Sequence, residues 1–152
     1  MCLAKGSLTE ASRLYEKAIS NEPEYVPAIV NAAICKQKNG DIDAALSLYD
    51  KASNVAPNDA QVLYNIGILL VEMRKFEIAL VLLKRVIALN NRHVSAHNYL
   101  GLCYAALNQR DLAVKAYDAA LTIDPNYQHA KANKAKLMNT QQKGFWGRIF
   151  GD

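Results

Sequence analysis

Apolar residues along this chain recur at steps of three and four, the spacing that gathers side chains on one face of an α-helix. The clearest stretch is Ala96 to Pro125, AHNYLGLCYAALNQRDLAVKAYDAALTIDP. Leu100, Gly101 and Tyr104 share one face there, Ala113, Tyr117 and Ala120 share another, and a polar break at Asn108–Gln109 separates them. Neither segment buries its stripe alone, so the two predict an antiparallel helical hairpin. No strand-like alternation persists beyond a few residues, and the chain reads as all-α.

The same sentence is spelled again every thirty-four residues, a period expected of a helix–turn–helix repeat. Gly101 moves onto Gly67 and then Ala33; Ala113 moves onto Ala79, Ala45 and Ala11. Tyr117 moves onto Leu83, Tyr49 and Tyr15, Ala120 onto Val86, Ala52 and Ala18, and Pro125 onto Asn91, Pro57 and Pro23, with no gap anywhere. Small residues let paired helices approach closely while the tyrosines fill the wider gaps. Proline disfavours helical geometry at the residue before it and so ends each second helix.

This register resembles the tetratricopeptide repeats (TPR), whose pattern is a large residue at repeat position 4, Leu at 7, a small residue at 8, Tyr at 11, Ala at 20, an aromatic at 24, Ala at 27 and Pro at 32. Local departures are Lys36 for the aromatic and Ala32 for the Leu of the second repeat, His97 for a large residue, and Asn91 for a proline. The resemblance implies an α-solenoid, a right-handed superhelix of antiparallel hairpins, with about 3.5 repeats and a C-terminal capping helix. The array covers 1–140: a half repeat over 1–25, repeats over 26–59, 60–93 and 94–127, and a cap over 128–140, followed by a tail over 141–152.

Breakers place the helices. Ser7 to Glu10 has capping-box spacing and predicts a helix over Leu8–Ser20. Hairpins follow as Val26–Lys38 with Ile42–Val55 around Asn39-Gly40-Asp41, Ala60–Glu72 with Phe76–Leu89, and Val94–Ala106 with Arg110–Ile123. Asp59 is a candidate N-cap, and Asn108 stands where glycine is usual, since Asn tolerates left-handed backbone. Gln128 to Asn139 is helical by propensity but charged, with Lys134 and Ala135 in place of the Leu-Gly pair, as suits a solvated cap. The chain opens in mid-repeat, which predicts that upstream sequence or a neighbouring molecule covers the first helix.

Charge is uneven. Residues 1–127 carry 13 basic and 13 acidic side chains, whereas 128–152 carry five basic and one acidic, which accounts for the net +4. The body is neutral, without a basic stripe and interleaved aromatics, and predicts no nucleic-acid partner. Cys2, Cys35 and Cys103 have no metal spacing, and Cys35 and Cys103 recur two repeats apart, too far to bridge; a reducing cytoplasm fits. His93 and His97 have the i, i+4 spacing of metal ligands, but nothing nearby completes a tetrad. No nucleophile, phosphate-loop or zinc-protease motif occurs, and paired carboxylates such as Asp41 and Asp43 sit at helix starts where they cap. The expectation is a non-enzyme without cofactor or metal.

The resemblance implies a binding groove lined by the first helix of each hairpin. Carried across by position, its residues are Val30, Asn31, Ile34, Tyr64, Asn65, Ile68, Asn98, Tyr99 and Leu102, with Ala132 and Asn133 at the cap. Some family members hold a peptide backbone with an asparagine ladder at the position of Asn31, Asn65 and Asn133, which Tyr99 interrupts; an amide donates and accepts at once. The bland alternative is that these amides merely face water. A family mode that clamps a carboxylate with Lys and Arg is not matched, since its positions hold Val30, Ile34, Asn65, Ser95 and Tyr99, of which Asn65 alone fits.

In the tail, Phe145, Trp146, Ile149 and Phe150 fall on one helical face with Lys143 and Arg148 off it, which suits a membrane interface. It resembles the C-terminal membrane-targeting helices of bacterial Min-system ATPases. Docking into a groove and packing on the last hairpin stand beside that reading. The chain is therefore expected to be a scaffold or adaptor binding an extended or amphipathic protein segment, cytoplasmic or peripheral at a membrane. The alternatives are a unit that assembles with copies of itself through its open first helix or tail, and a regulatory C-terminal part of a larger protein.

Overall fold

Each helix starts and stops for a local reason. In the computed structural model, which describes the backbone of residues 5–150 and the side chains of residues 8–139, the elements are α1 (Lys5–Asn21), α2 (Val26–Lys38), α3 (Ile42–Val55), α4 (Ala60–Glu72), α5 (Phe76–Leu89), α6 (Val94–Ala106), α7 (Arg110–Ile123) and α8 (Gln128–Phe150). The Asp41 carboxylate accepts from the Ala44 N–H at 3.3 Å, and Asp59 accepts from Gln61 and Val62 at 2.7 and 3.0 Å, so both acids satisfy orphan donors of a first turn. Gly40 turns the chain at φ +82°; Arg74 and Asn108 do the same at +59° and +57° without being glycine.

Two ends depart from the sequence pattern. α1 begins at Lys5, so Ser7 lies inside the helix and not at its cap. The backbone of α8 runs on through Phe150, past Asn139, and across Gly144 and Gly147. A glycine inside a helix costs only about 1 kcal/mol, which the flanking helix formers offset. The tail side chains of Phe145, Trp146, Arg148, Ile149 and Phe150 lie outside the described residues. No helix among the described residues is long and apolar enough to cross a membrane.

The chain divides into two units, residues 1–69 and 70–152, with the boundary inside α4. In the first, α2 packs against both α1 and α3. α2 buries Ala28, Ile29, Ala32 and Ala33, and α3 buries Ala45, Tyr49 and Ala52, the small–large–small triplet of the repeat. The Tyr49 hydroxyl donates to Gln37 Oε1 at 3.0 Å, so its polar end is not stranded. Lys36, which stands where the pattern has an aromatic, reaches Glu16 of α1 at 2.8 Å; that hydrogen bond holds the Glu16 carboxyl below its usual pKa.

In the second unit, α6 packs against α5, α7 and α8, and α8 also lies on α7. The core joins Tyr104, Ala113, Ala116, Tyr117, Ala120 and Ala130, ringed by Leu80, Leu100, Leu121 and Leu137. Gly101 is there because nothing larger fits: a Cβ at that position would stand 2.5 Å from the Tyr117 ring. Full burial of a side chain such as Leu83 on α5 contributes on the order of 2 kcal/mol. α8 is fastened by polar contacts at its edges. Lys134 pairs with Asp118 of α7 at 2.5 Å, and the Arg110 guanidinium donates to the Leu137 carbonyl.

Candidate functional site

In the first unit, the groove positions fall on α2 and α4. Val30 and Asn65 are buried, at 6% and 7% exposure, while Asn31, Ile34, Tyr64 and Ile68 are half-buried. A helix that packs one stripe in the core leaves the flanking positions partly wet. Three of these half-buried side chains, Ile34, Tyr64 and Ile68, are large and mainly apolar. The Asn65 amide is a different matter. Its Nδ2 is enclosed and has no hydrogen-bond partner among the described residues.

In the second unit, α6 carries Asn98, Tyr99 and Leu102, and α8 carries Asn133 and the exposed Ala132. Asn98 is buried, and its Oδ1 accepts from Asn133 Nδ2 at 2.9 Å, so two expected groove amides are spent on each other. Tyr99 and Leu102 are half-buried. Burial, with the Glu72 carboxylate nearby, pushes the Tyr99 hydroxyl above its usual pKa, so it stays a neutral phenol at physiological pH.

Between α6 and α8 opens a cavity of about 280 Å³, lined by Leu102, Ala105, Ala106, Tyr117, Asn133, Lys136 and Leu137. Leu102 and Asn133 belong to the sequence-predicted set; Ala105, Lys136 and Leu137 do not. Ala105 and Lys136 occupy positions 12 and 9 of their repeats, so carrying the groove register to every helix finds them. Leu137 is found only from the way α8 lies on its neighbours.

The two histidines are engaged locally. His93 is the N-cap of α6, its Nδ1 accepting from the Ala96 N–H at 3.1 Å, and His97 Nε2 meets the Asn91 carbonyl at 3.0 Å. His93 is thus a cap and not a solvent-facing ring. Cys103 is fully buried, and burial pushes its thiol up to about 11, which leaves it protonated and unreactive. Among the described residues, the arrangement offers apolar surface with amides and no nucleophile–base pair.

Known proteins share both the repeat and the fold. Residues 3–64 and 64–127 match two tetratricopeptide repeat models. The BBSome complex member BBS4 of Xenopus tropicalis is 27% identical over 136 residues, 88% of this chain and 26% of that protein. A UDP-N-acetylglucosamine--peptide N-acetylglucosaminyltransferase of Giardia intestinalis is 27% identical over 124 residues, 82% of this chain and 8% of that protein. The chain therefore spans about a quarter or less of these relatives' length. Among solved structures, MamA superposes with a TM-score of 0.72 at 22% identity, covering 92% of each chain. YrrB, described as a TPR protein with an unusual peptide-binding site, gives 0.71 at 23% identity over 90% of this chain and 71% of its own. The first TPR of Spaghetti (RPAP3), bound to an HSP90 peptide, gives 0.72 at 22% identity over 77% and 93%. Its periodicity, its all-α fold of the solenoid class and these matches agree, and the chain belongs to the tetratricopeptide repeat family.

Proposed function

We propose that this chain is a non-catalytic protein-interaction scaffold that binds an extended or amphipathic segment of a partner protein on the face of its first helices. The observation that carries the reading is the set of large apolar side chains held half-buried at groove positions: Ile34 on α2, Tyr64 and Ile68 on α4, Tyr99 and Leu102 on α6. Such residues retain apolar area to lose on contact, and aromatic side chains in partly enclosed settings are the usual anchors of an interface. Asn31 and Asn65 supply amides able to hold a peptide backbone irrespective of sequence, whereas Asn133 is engaged by Asn98. A peptide complex of one structurally similar protein, and a peptide-binding site described for another, support the reading by analogy of fold. The charged clamp for a terminal carboxylate has no counterpart here, because Val30, Ile34, Ser95 and Tyr99 stand at its positions.

The test starts from random twelve-residue peptides selected on the whole chain. Titration of a selected peptide against the Tyr64→Ala, Ile68→Ala double variant should show a loss of a few kcal/mol. Unchanged affinity removes this face as the site.

A second reading, self-assembly, is favoured by α1. Tyr15 and Ala18 there are half-buried, whereas Tyr49 and Ala52, or Tyr117 and Ala120, are fully enclosed at the same repeat positions, and Leu14 is 62% exposed. Light scattering across concentration separates the two: a mass that rises with concentration supports assembly, and a constant monomer mass opposes it. Contact with a membrane surface through the tail belongs to the same set of proposals, and co-sedimentation with liposomes tests it.

A further inference from the structure

Two asparagines occupy the same repeat position, two thirty-four-residue periods apart, with different residues in register beside them. Asn133 donates through Nδ2 to Asn98 Oδ1 at 2.9 Å. Carried back by two periods, that pair becomes Asn65 and Val30. Val30 is buried and has no acceptor to offer. Asn65 is equally buried, and its Nδ2 is left without a partner among the described residues. The enclosed N–H therefore bears the desolvation penalty of an unmade hydrogen bond, which the last repeat avoids.

The two amides respond differently to a ligand. Rotating the Asn65 side chain toward the surface breaks no bond at its nitrogen and relieves a stranded donor. Rotating Asn133 breaks its bond to Asn98 before any new one forms. We propose that the repeat position shared by Val30 and Asn98 decides which asparagine can hold a main-chain carbonyl: Val30 leaves Asn65 recruitable, and Asn98 silences Asn133. The ligand class is an extended segment presenting an uncharged carbonyl between apolar side chains that meet Ile34, Tyr64 and Ile68. The inference rests on the peptide-binding reading above and adds a specificity-determining residue that touches no ligand itself.

The probe is N-acetyl-leucine methylamide, which carries two peptide carbonyls and one apolar side chain, titrated while the asparagine side-chain NH₂ resonances are followed by ¹⁵N NMR. In the unmodified chain the Asn65 resonance should move and the Asn133 resonance should stay. Val30→Asn gives Asn65 an internal acceptor and should weaken its response about fivefold, the loss expected for one competing hydrogen bond. Asn98→Val should make Asn133 respond. A silent Asn65, an unchanged response in Val30→Asn, or a silent Asn133 in Asn98→Val overturns the proposal. If Val30→Asn fails to fold, the Asn98→Val arm decides. A selected peptide indifferent to Tyr64→Ala and Ile68→Ala, with Asn65 still responding to the probe, would remove the binding reading and spare this one. A peptide that needs Tyr64 while Asn65 stays silent would do the reverse.

Discussion

Single atoms decide how closely these helices meet. At Gly101 a methyl group has nowhere to go, because the ring it would strike is the fully buried Tyr117. Gly101→Ala should therefore destabilise the chain by about 1–3 kcal/mol despite its better helix propensity. Urea unfolding reads this, and an unchanged midpoint would mean that the ring shifts freely. Cys103 gives a second residue-scale expectation. With its thiol fully buried and held protonated to about pH 11, it should react with a disulfide reagent at neutral pH no faster than the chain unfolds. Rapid labelling of the native chain would contradict that burial. The small and large core positions were legible in advance, since a thirty-four-residue ruler marks them four times over. The mutual bond of Asn98 and Asn133 was not, because both look alike in sequence and only geometry says which amide is spent.

Elements were legible where a breaker punctuates them. Asn39-Gly40-Asp41 and Asp59 end and begin helices by turn chemistry that is written in the residues themselves. α1 and α8 were less so: the sequence places the first helix at Leu8–Ser20 and the cap at 128–140, yet the helices run Lys5–Asn21 and Gln128–Phe150. The start of α6 carries a prediction of its own. His93 caps it with an unprotonated Nδ1, and a proton there would replace an acceptor with a donor. Burial lowers the His93 pKa below 6.5, and the neighbouring His97 pushes the same way. The folded chain thus takes up this proton at lower pH than the unfolded chain does. The cap's contribution is full above pH 6.5 and is lost as pH falls through the folded value. His93→Asn keeps a capping oxygen without titrating, so its stability should fall less steeply below pH 6.5 in thermal unfolding. Equal slopes for both chains would show that the ring does not govern this turn.

For the whole chain, the question is which surface meets a partner. Its net +4 arises entirely from residues 128–152, so the proposed binding by the neutral repeats would rest on shape, apolar contact and hydrogen bonds. The proposed binding helices carry such residues, with Ile34, Ile68 and Leu102 recurring at one repeat position and Lys136 replacing them at the last. The family was legible from period alone. The partner is not, because one fold of this kind serves many partners and the choice lies in a few side chains on its surface. The most direct measurement is a map of methyl and backbone NMR shifts on adding a peptide selected on the whole chain. The account predicts that the shifts gather on Ile34, Tyr64, Ile68, Tyr99 and Leu102. Shifts confined to α3, α5 and α7, with those five residues silent, would contradict it.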